Sequence, residues 1–368
     1  MNPFGVLSTN SIRRTEMRMK KLTATRSLLV LLLATSLPAL AQTSAQTNSK
    51  TNWAVTKTLP IGGQGAWDYL TVDSTTHRLF VPRSTHTMVI DAESGKTLGD
   101  IPGQKGAHGV AVVPAVGRGF ISDGGGDGAI IIFDLKTYAT LGKITAQPDA
   151  DGIIYDPASN RVLVVSGDGG VLMSFKPDID PTSGKIEAPI ALGGKPEFLA
   201  SGGDGKVYIN LEDKDQVAVV DMKTRKVLAH WPVAPGGSPV GMSIDTKAHR
   251  LFIGCRKPQK LIVMSTSDGK VLADLPIGAG VDATQNAGGQ AFASCRDGSL
   301  AVAAETSPGK FEIVQTVKTP AGARTMGLDP ATRKIYLPTA ELEAPKPGAT
   351  SRPAMKPNSF MIVEVGHQ

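Results

Sequence analysis

Residues 152–165 read GIIYDPASNRVLVV, and residues 325–337 read TMGLDPATRKIYL. Each is a short apolar run, an Asp-led turn closing on a basic residue, and a second apolar run. YLTVDSTTHRLFV at 69–81 and GMSIDTKAHRLFI at 241–253 repeat the pattern. The turn position recurs at Asp73, Pro114, Asp156, Ser201, Asp245, Gln285 and Asp329, in steps of 41, 42, 45, 44, 40 and 44 residues. A third strand and a tight turn follow, as in VIDAESGKTL at 89–98, VVDMKTRKVL at 219–228 and VMSTSDGKVL at 263–272. A period of roughly 40–45 residues with four strands per unit is the signature of a β-propeller blade.

The rest of the chain agrees with an all-β, seven-bladed propeller built of four-stranded antiparallel blades. The 41 Gly and 25 Pro mark many turns, and no stretch carries a long 3.6-residue apolar period. The seventh unit supplies three strands, and residues 53–59 form one strand to spare before the first complete unit. That spare strand is expected to pair with residues 359–365 as the outer strand of the last blade, closing the ring and leaving no exposed sheet edge. Runs without alternation, such as AIIIFDL at 129–135, fit strands buried on both faces. In the sixth unit, Gln285-Asn286-Ala287-Gly288 replaces the Asp-led turn and shortens it. The last unit holds a Pro-rich insertion at 339–358, TAELEAPKPGATSRPAMKPN, expected to be a strandless flap over one mouth of the channel.

The first 41 residues have the layout of a secretory signal: a basic lead-in, an apolar run at 27–40 and a small-residue cleavage site after Ala41. The lead-in is long, so translation starts at Met1, Met17 or Met19. The apolar run is shorter than the ~20 residues needed to cross a bilayer. Residues 42–52 are expected to be a short linker and 53–368 the propeller, in the periplasm or secreted. Removing 1–41 takes away six basic residues and Glu16. Lys+Arg falls from 39 to 33, Asp+Glu from 33 to 32, and the formal charge from +6 to +1. The basic pI therefore resides mostly in the leader, and neither nucleic acid nor an anionic membrane is indicated as a partner.

The longer blocks GAWDYLTVD (65–73), KVYINLEDKDQVAVVD (206–221), HRLFIGCRK (249–257), GAGVDAT (278–284) and GARTMGLDPATRKIYLPTAE (322–341) resemble the YVTN-repeat β-propellers, the YncE-like exported bacterial proteins. The resemblance runs from about residue 53 to 366. It implies a propeller fold and export, but no single reaction, because propellers host many functions. Some YncE-like proteins are linked to DNA, so the resemblance also brings single-stranded nucleic acid binding into view. The mature charge near +1 and the few aromatics argue against it.

In a propeller, the residues at the start of each innermost strand converge on one mouth of the channel. Those residues include Trp67-Asp68, His108, Asp151, Glu197, Val240, Asp282 and Arg324. Loops between second and third strands open on the same face and add Arg83, His86, Arg256, Lys257 and Arg296. Arg256 and Arg296 are repeat-equivalent, and such a pair suits a carboxylate or phosphate. Acids at strand starts also serve as plain backbone caps, and loop arginines as plain solubilisers. The runs SDGGGDG (122–128) and SGDGG (166–170) lack the ligand spacing of a calcium loop and read as hairpin turns. Cys255 and Cys295 occupy equivalent places in adjacent units, where seven-fold geometry separates mid-blade strands by roughly 10 Å, beyond the ~7 Å reach of a disulfide; export favours disulfides and loop ends retain some freedom, so the sequence leaves their oxidation open.

No attached-haem motif, nucleophile elbow or phosphate-binding glycine loop is present. The sequence thus points to a ligand-binding or protein-interaction module, expected to be monomeric, acting on a small molecule or protein through the funnel mouth, with no cofactor. The enzymatic alternative is a metal-assisted, lactonase-like hydrolase. A divalent cation held by Asp68, Asp151, Glu197 and Asp282 would polarise a carbonyl there, and His108 would shuttle a proton.

Overall fold

The computed structural model describes residues 52–344 and 354–368. The leader, its cleavage site and nearly all of the linker lie outside these, as does the centre of the Pro-rich insertion. Residues Lys50–Gln368 form one compact unit. No helix among the described residues is long and apolar enough to cross a membrane.

Every described element is a β-strand apart from one 3-10 turn, Pro114–Val116. The strands form six sheets, all antiparallel, five of them four-stranded. The Asp-led turns explain where the strands stop. Asp73 accepts from Thr75 N and Thr76 Oγ1, Asp156 from Ser159 N, Asp245 from Ala248 N, and Asp329 from Ala331 N and Thr332 Oγ1. Each carboxylate satisfies the amides that the turn frees from the ladder. His77, Asn160, His249 and Arg333 then take positive φ, between 51° and 58°, and reverse the chain. In the shortened unit, Gly288 and Gly289 (φ 58° and 78°) make a two-residue hairpin between strands Val281–Ala287 and Gln290–Cys295.

The sixth sheet has seven strands, where two separate four-stranded units were expected. Strand Thr97–Val113 is continuous, its first half pairing with Ser84–Asp91 and its second with Arg118–Asp123. Its chain turns at Gly103 (φ 94°) without leaving the ladder, so two units share one strand.

The spare strand behaves as expected. Trp53–Pro60 pairs antiparallel with Met361–His367, Trp53 opposite His367 and Pro60 opposite Met361. The last strand begins two residues later than the sequence suggests. Apolar clusters fill the spaces between successive sheets. Phe120 meets Phe175 edge-on at 5.4 Å, and Trp53 meets Phe292 at 4.9 Å across such seams. Cys255 and Cys295 are free and buried, and burial pushes both thiols up to about 12. The Pro-rich insertion is less strandless at its base than expected. Leu342 bridges Met355, Glu343 N donates to Ala354 O, and Lys356 N donates to Glu341 O. Pro345, Pro347 and Pro353 fall in 345–353, so the flap expectation lies largely outside the described residues.

Deleting residues 42–60 removes a complete ladder and uncovers Val363, Val365 and Phe292. The melting temperature should fall by ten degrees or more, consistent with a loss of several kcal/mol. Unchanged melting would contradict the structural role of this strand.

Candidate functional site

Six of the seven residues that begin an innermost strand meet at one mouth, with Trp67 beside them. The Asp282 carboxylate is the hub. It is almost fully buried and receives Arg256 Nη2 on one oxygen and Arg324 Nη1 on the other. Arg256 extends to Glu212 Oε1 at 3.1 Å and to the carbonyl of Val281 at 3.2 Å. Arg324 extends to Asp68 Oδ1 at 3.4 Å and to Trp67 O at 3.0 Å. Asp68 Oδ2 then holds His108 Nδ1 at 2.8 Å, and Asp151 Oδ1 lies 3.4 Å from the same nitrogen. Glu197 closes the run by hydrogen-bonding to Glu212. The mouth is thus a nearly continuous chain of alternating acids and bases drawn from strands far apart in sequence.

Five carboxyl groups face three cationic ones, and burial settles the imbalance. Desolvation, the hydrogen bond to Glu212 and the charge of Asp151 push Glu197 up to about 9. Desolvation, working against the attraction of His108, raises Asp151 to about 8. Burial also disfavours the His108 imidazolium, but its bond to Asp68 and the nearby carboxylates outweigh that and lift it to about 9. Burial thus favours the protonated forms of Glu197 and Asp151, while the neighbouring carboxylates favour the charged form of His108. Glu197 is then a donor to Glu212, which explains how two carboxyl groups share one wall.

Two members of the mouth are missing from the sequence-based set. Glu212 follows strand Lys206–Leu211, the place in its unit that Arg256 holds in the next, so the repeat itself points to it. Tyr69 has the look of an ordinary apolar strand residue. Its ring instead reaches out of its own sheet to Phe198, 4.8 Å between centroids. Burial, and then the charges of Asp151, Asp282, Asp68 and Glu197, raise its phenol well above 10, so its hydroxyl stays protonated among four carboxyl groups.

Two expected residues stand apart from this network. Arg83 is fully buried. It donates to the carbonyls of Gly65 and Gly62, at 2.8 and 3.3 Å, and its guanidinium lies 3.6 Å from the centre of the Phe360 ring. It braces the segment leading to Asp68 rather than meeting solvent. His86 pairs with Asp100 at 3.9 Å. Arg296 sits in the adjoining loop, its backbone tied to Gly280 and Gly322.

Asp68, His108 and Asp151 each offer one ligand atom within 4.8 Å of the others, a set that suits a divalent cation. Two buried polar atoms of the mouth, Asp151 Oδ1 and Trp67 Nε1, have no hydrogen-bond partner among the described residues.

Comparison with known folds agrees with the architecture. RRP9 WD40 repeats superpose with a TM-score of 0.69 at 12% identity, over 86% of this chain and 98% of that one. The fold is a β-propeller. Streptogramin B lyase gives 0.64 at 13% identity, over 86% and 98%. Kuenenia stuttgartiensis hydrazine synthase gives 0.63 at 14%, over 76% and 92%. At such identities the propeller likeness speaks to fold alone. No known protein family and no curated protein matches the sequence.

The three raised groups make stability depend on pH with a definite sign. Asp151 and Glu197 rise from 3.8 and 4.5 to about 8 and about 9, and His108 from 6.5 to about 9. Each binds its proton more tightly when folded. The carboxyls' contribution is complete below about pH 4 and is lost as pH rises through 8 to 9. That of His108 is complete below about 6.5 and is lost through 9. The melting temperature should therefore fall between pH 6 and pH 10, and Glu197→Gln should flatten the fall. A melting temperature that rises over this window would show that the sign is wrong.

Proposed function

We propose that the chain is an exported, seven-bladed propeller of the YVTN-repeat kind that binds an uncharged, hydrogen-bonding ligand at this mouth. Four observations support the ring. The seven-stranded sheet divides at Gly103 into two four-stranded units. Innermost strands contact one another in the order that returns from Gly327–Asp329 to Thr71–Asp73. Gly327 packs against Leu70 and Val72 with no room for a side chain, and the spare strand completes the last unit. Export rests on the leader at 1–41.

The pairing within the mouth carries the ligand reading. Arg256, Arg324 and His108 are each already held by carboxylates, so an anion or a cation gains little, since either must first displace an existing pair. What it offers is a dense array of donors and acceptors fixed in place: guanidinium N–H groups, carboxylate oxygens and two protonated carboxyl groups. Such an array suits hydroxyl, amide or ester groups, and concave mouths with converging polar groups are common ligand sites. Protein loops presenting such groups are an equivalent occupant, in keeping with the interaction role that propellers often have.

The test is a thermal-shift screen of neutral sugars, amides and esters against simple anions and amines. Stabilisers should be neutral, and Arg256→Ala should abolish their shift while costing a few degrees by itself, because Asp282 and Glu212 each lose a partner. Stabilisation by anions alone, or shifts that survive Arg256→Ala, would overturn the proposal.

A second reading, a metal-assisted hydrolase, is favoured by the Asp68, His108, Asp151 set alone. It expects Mn2+ to raise the melting temperature of the wild type and not of Asp68→Asn. Absence of any shift removes this reading and leaves the binding proposal intact.

A further inference from the structure

The innermost strands begin with the charged ring, and one position further on come Tyr69, Gly109, Gly152, Phe198, Gly241, Ala283 and Thr325. Five of the seven are small. Only Tyr69 and Phe198 are large, and they belong to sheets that are not neighbours, because the sheet of Ala150–Asp156 stands between them. Their ring contact at 4.8 Å therefore crosses the channel. The glycines make this level narrow: a Cβ on Gly152 would lie 2.7 Å from Glu197 O, and one on Gly109 2.9 Å from Ile153. The aromatic pair is a partition, with the polar mouth on one side.

On the other side lies a cavity of about 570 Å³, within the size range of small-molecule sites. Its ceiling is Tyr69, Phe198 and Asp282. Its walls include Leu70, Met242, Met326 and Leu328, and it ends at Asn286 and Pro330 beside the Asp-led turns. Exposure grows along this path, from buried Leu70 and Met242 to half-buried Val72, Ile244 and Leu328 and exposed Pro330. The cavity therefore opens on the face opposite the mouth. Below Asp282, whose carboxylate is taken by two arginines, no acidic or basic side chain among the described residues lines it.

The wall hydroxyls are also engaged. Thr71 donates to Val110 O, Thr284 to Phe252 O, and Ser201 to Asp156. Each is spent on the neighbouring strand or sheet, so the middle of the lumen is largely apolar, with the amides of Gln285 and Asn286 toward its open end. Ser243 is the buried exception. It is 7% exposed, lines the cavity, and its Oγ has no partner among the described residues. A buried hydroxyl without a partner costs free energy that a ligand atom would recover.

We propose that this lumen is a second ligand site, separate from the mouth, for a neutral, mostly apolar molecule of ring-system size carrying one hydrogen-bonding group opposite Ser243. The partition keeps the two sites distinct, so a mouth ligand and a lumen ligand occupy the protein together.

N-phenyl-1-naphthylamine, a neutral fluorophore with a single N–H, is a suitable probe for the mature protein. It should bind saturably with one-to-one stoichiometry. Ile244→Arg and Leu328→Arg place a long cation in the lumen, with its head free to reach the open end. Each should weaken the probe by roughly tenfold or more, about 1.4 kcal/mol. Glu212→Gln, at the mouth and outside the lumen lining, should change probe affinity by less than about twofold. Melting curves report whether the arginine variants remain folded. Should they unfold, crystals soaked in 1-bromonaphthalene decide the matter by the position of the bromine anomalous peak. A peak in the lumen supports the site. No saturable binding, probe affinity that follows Glu212→Gln and not the lumen variants, or bromine found only elsewhere would overturn it. None of these outcomes bears on the neutral ligand proposed for the mouth.

Discussion

The sheets of this protein are apolar on both faces. Strands such as Ala129–Asp134 and Arg161–Ser166 bury nearly every residue, and the clusters that cover them come from the sheet on either side. A sheet of this kind cannot stand alone in water, because leaving one face uncovered costs about 25 cal/mol for each Å² of apolar surface. Each must be sandwiched, and a row of sandwiched sheets has two unsatisfied ends unless it bends back on itself. The pairing of Trp53–Pro60 with Met361–His367 completes the last sheet, and Trp53 carries it into the core. The same constraint creates the site. Strands that must all present their first residues at one end of a shared channel bring together side chains from Asp68 to Arg324, whatever their distance in sequence.

Much of this is legible in the amino-acid sequence, because the signals are local and repeated. The Asp-led turn recurs with a hydrogen-bonding logic of its own, and counting strands locates the spare one. The charged mouth follows from topology applied to the residues that begin each unit. What escapes the sequence is direction. Arg83 reads as exposed because basic loop residues usually are, yet its guanidinium finds two carbonyls and the face of Phe360 inside the protein. Tyr69 belongs to an apolar run, and no periodicity says that its ring leaves its own sheet to meet Phe198. The only hint is contrast, a large residue where most equivalent positions hold glycine or alanine. The merged strand Thr97–Val113 is hidden for a related reason. Gly99, Gly103 and Gly106 fall within it, and the ladder runs on through them.

The mouth shows how a protein can concentrate charge without becoming a strong electrolyte. Its acids outnumber its bases, and burial favours the protonated forms of Asp151 and Glu197. Removing one guanidinium would leave carboxylates facing one another in a partly dry place, which costs more than the pair itself contributes. The network is therefore stiff against change at its centre.

The amide of Gln368 donates to the carbonyl of Asn52 at 2.8 Å, so the two ends of the described chain lie side by side. The order in which the units are read is then almost a convention. A peptide bridge of a few residues between these positions would leave a circle, and that circle can be cut at any exposed outer turn, for example at 92–96, with every ladder retained. Such a permuted chain would begin in a different blade and still build the same mouth. The register of the ring is written in contacts between neighbours, not in the position of its first residue.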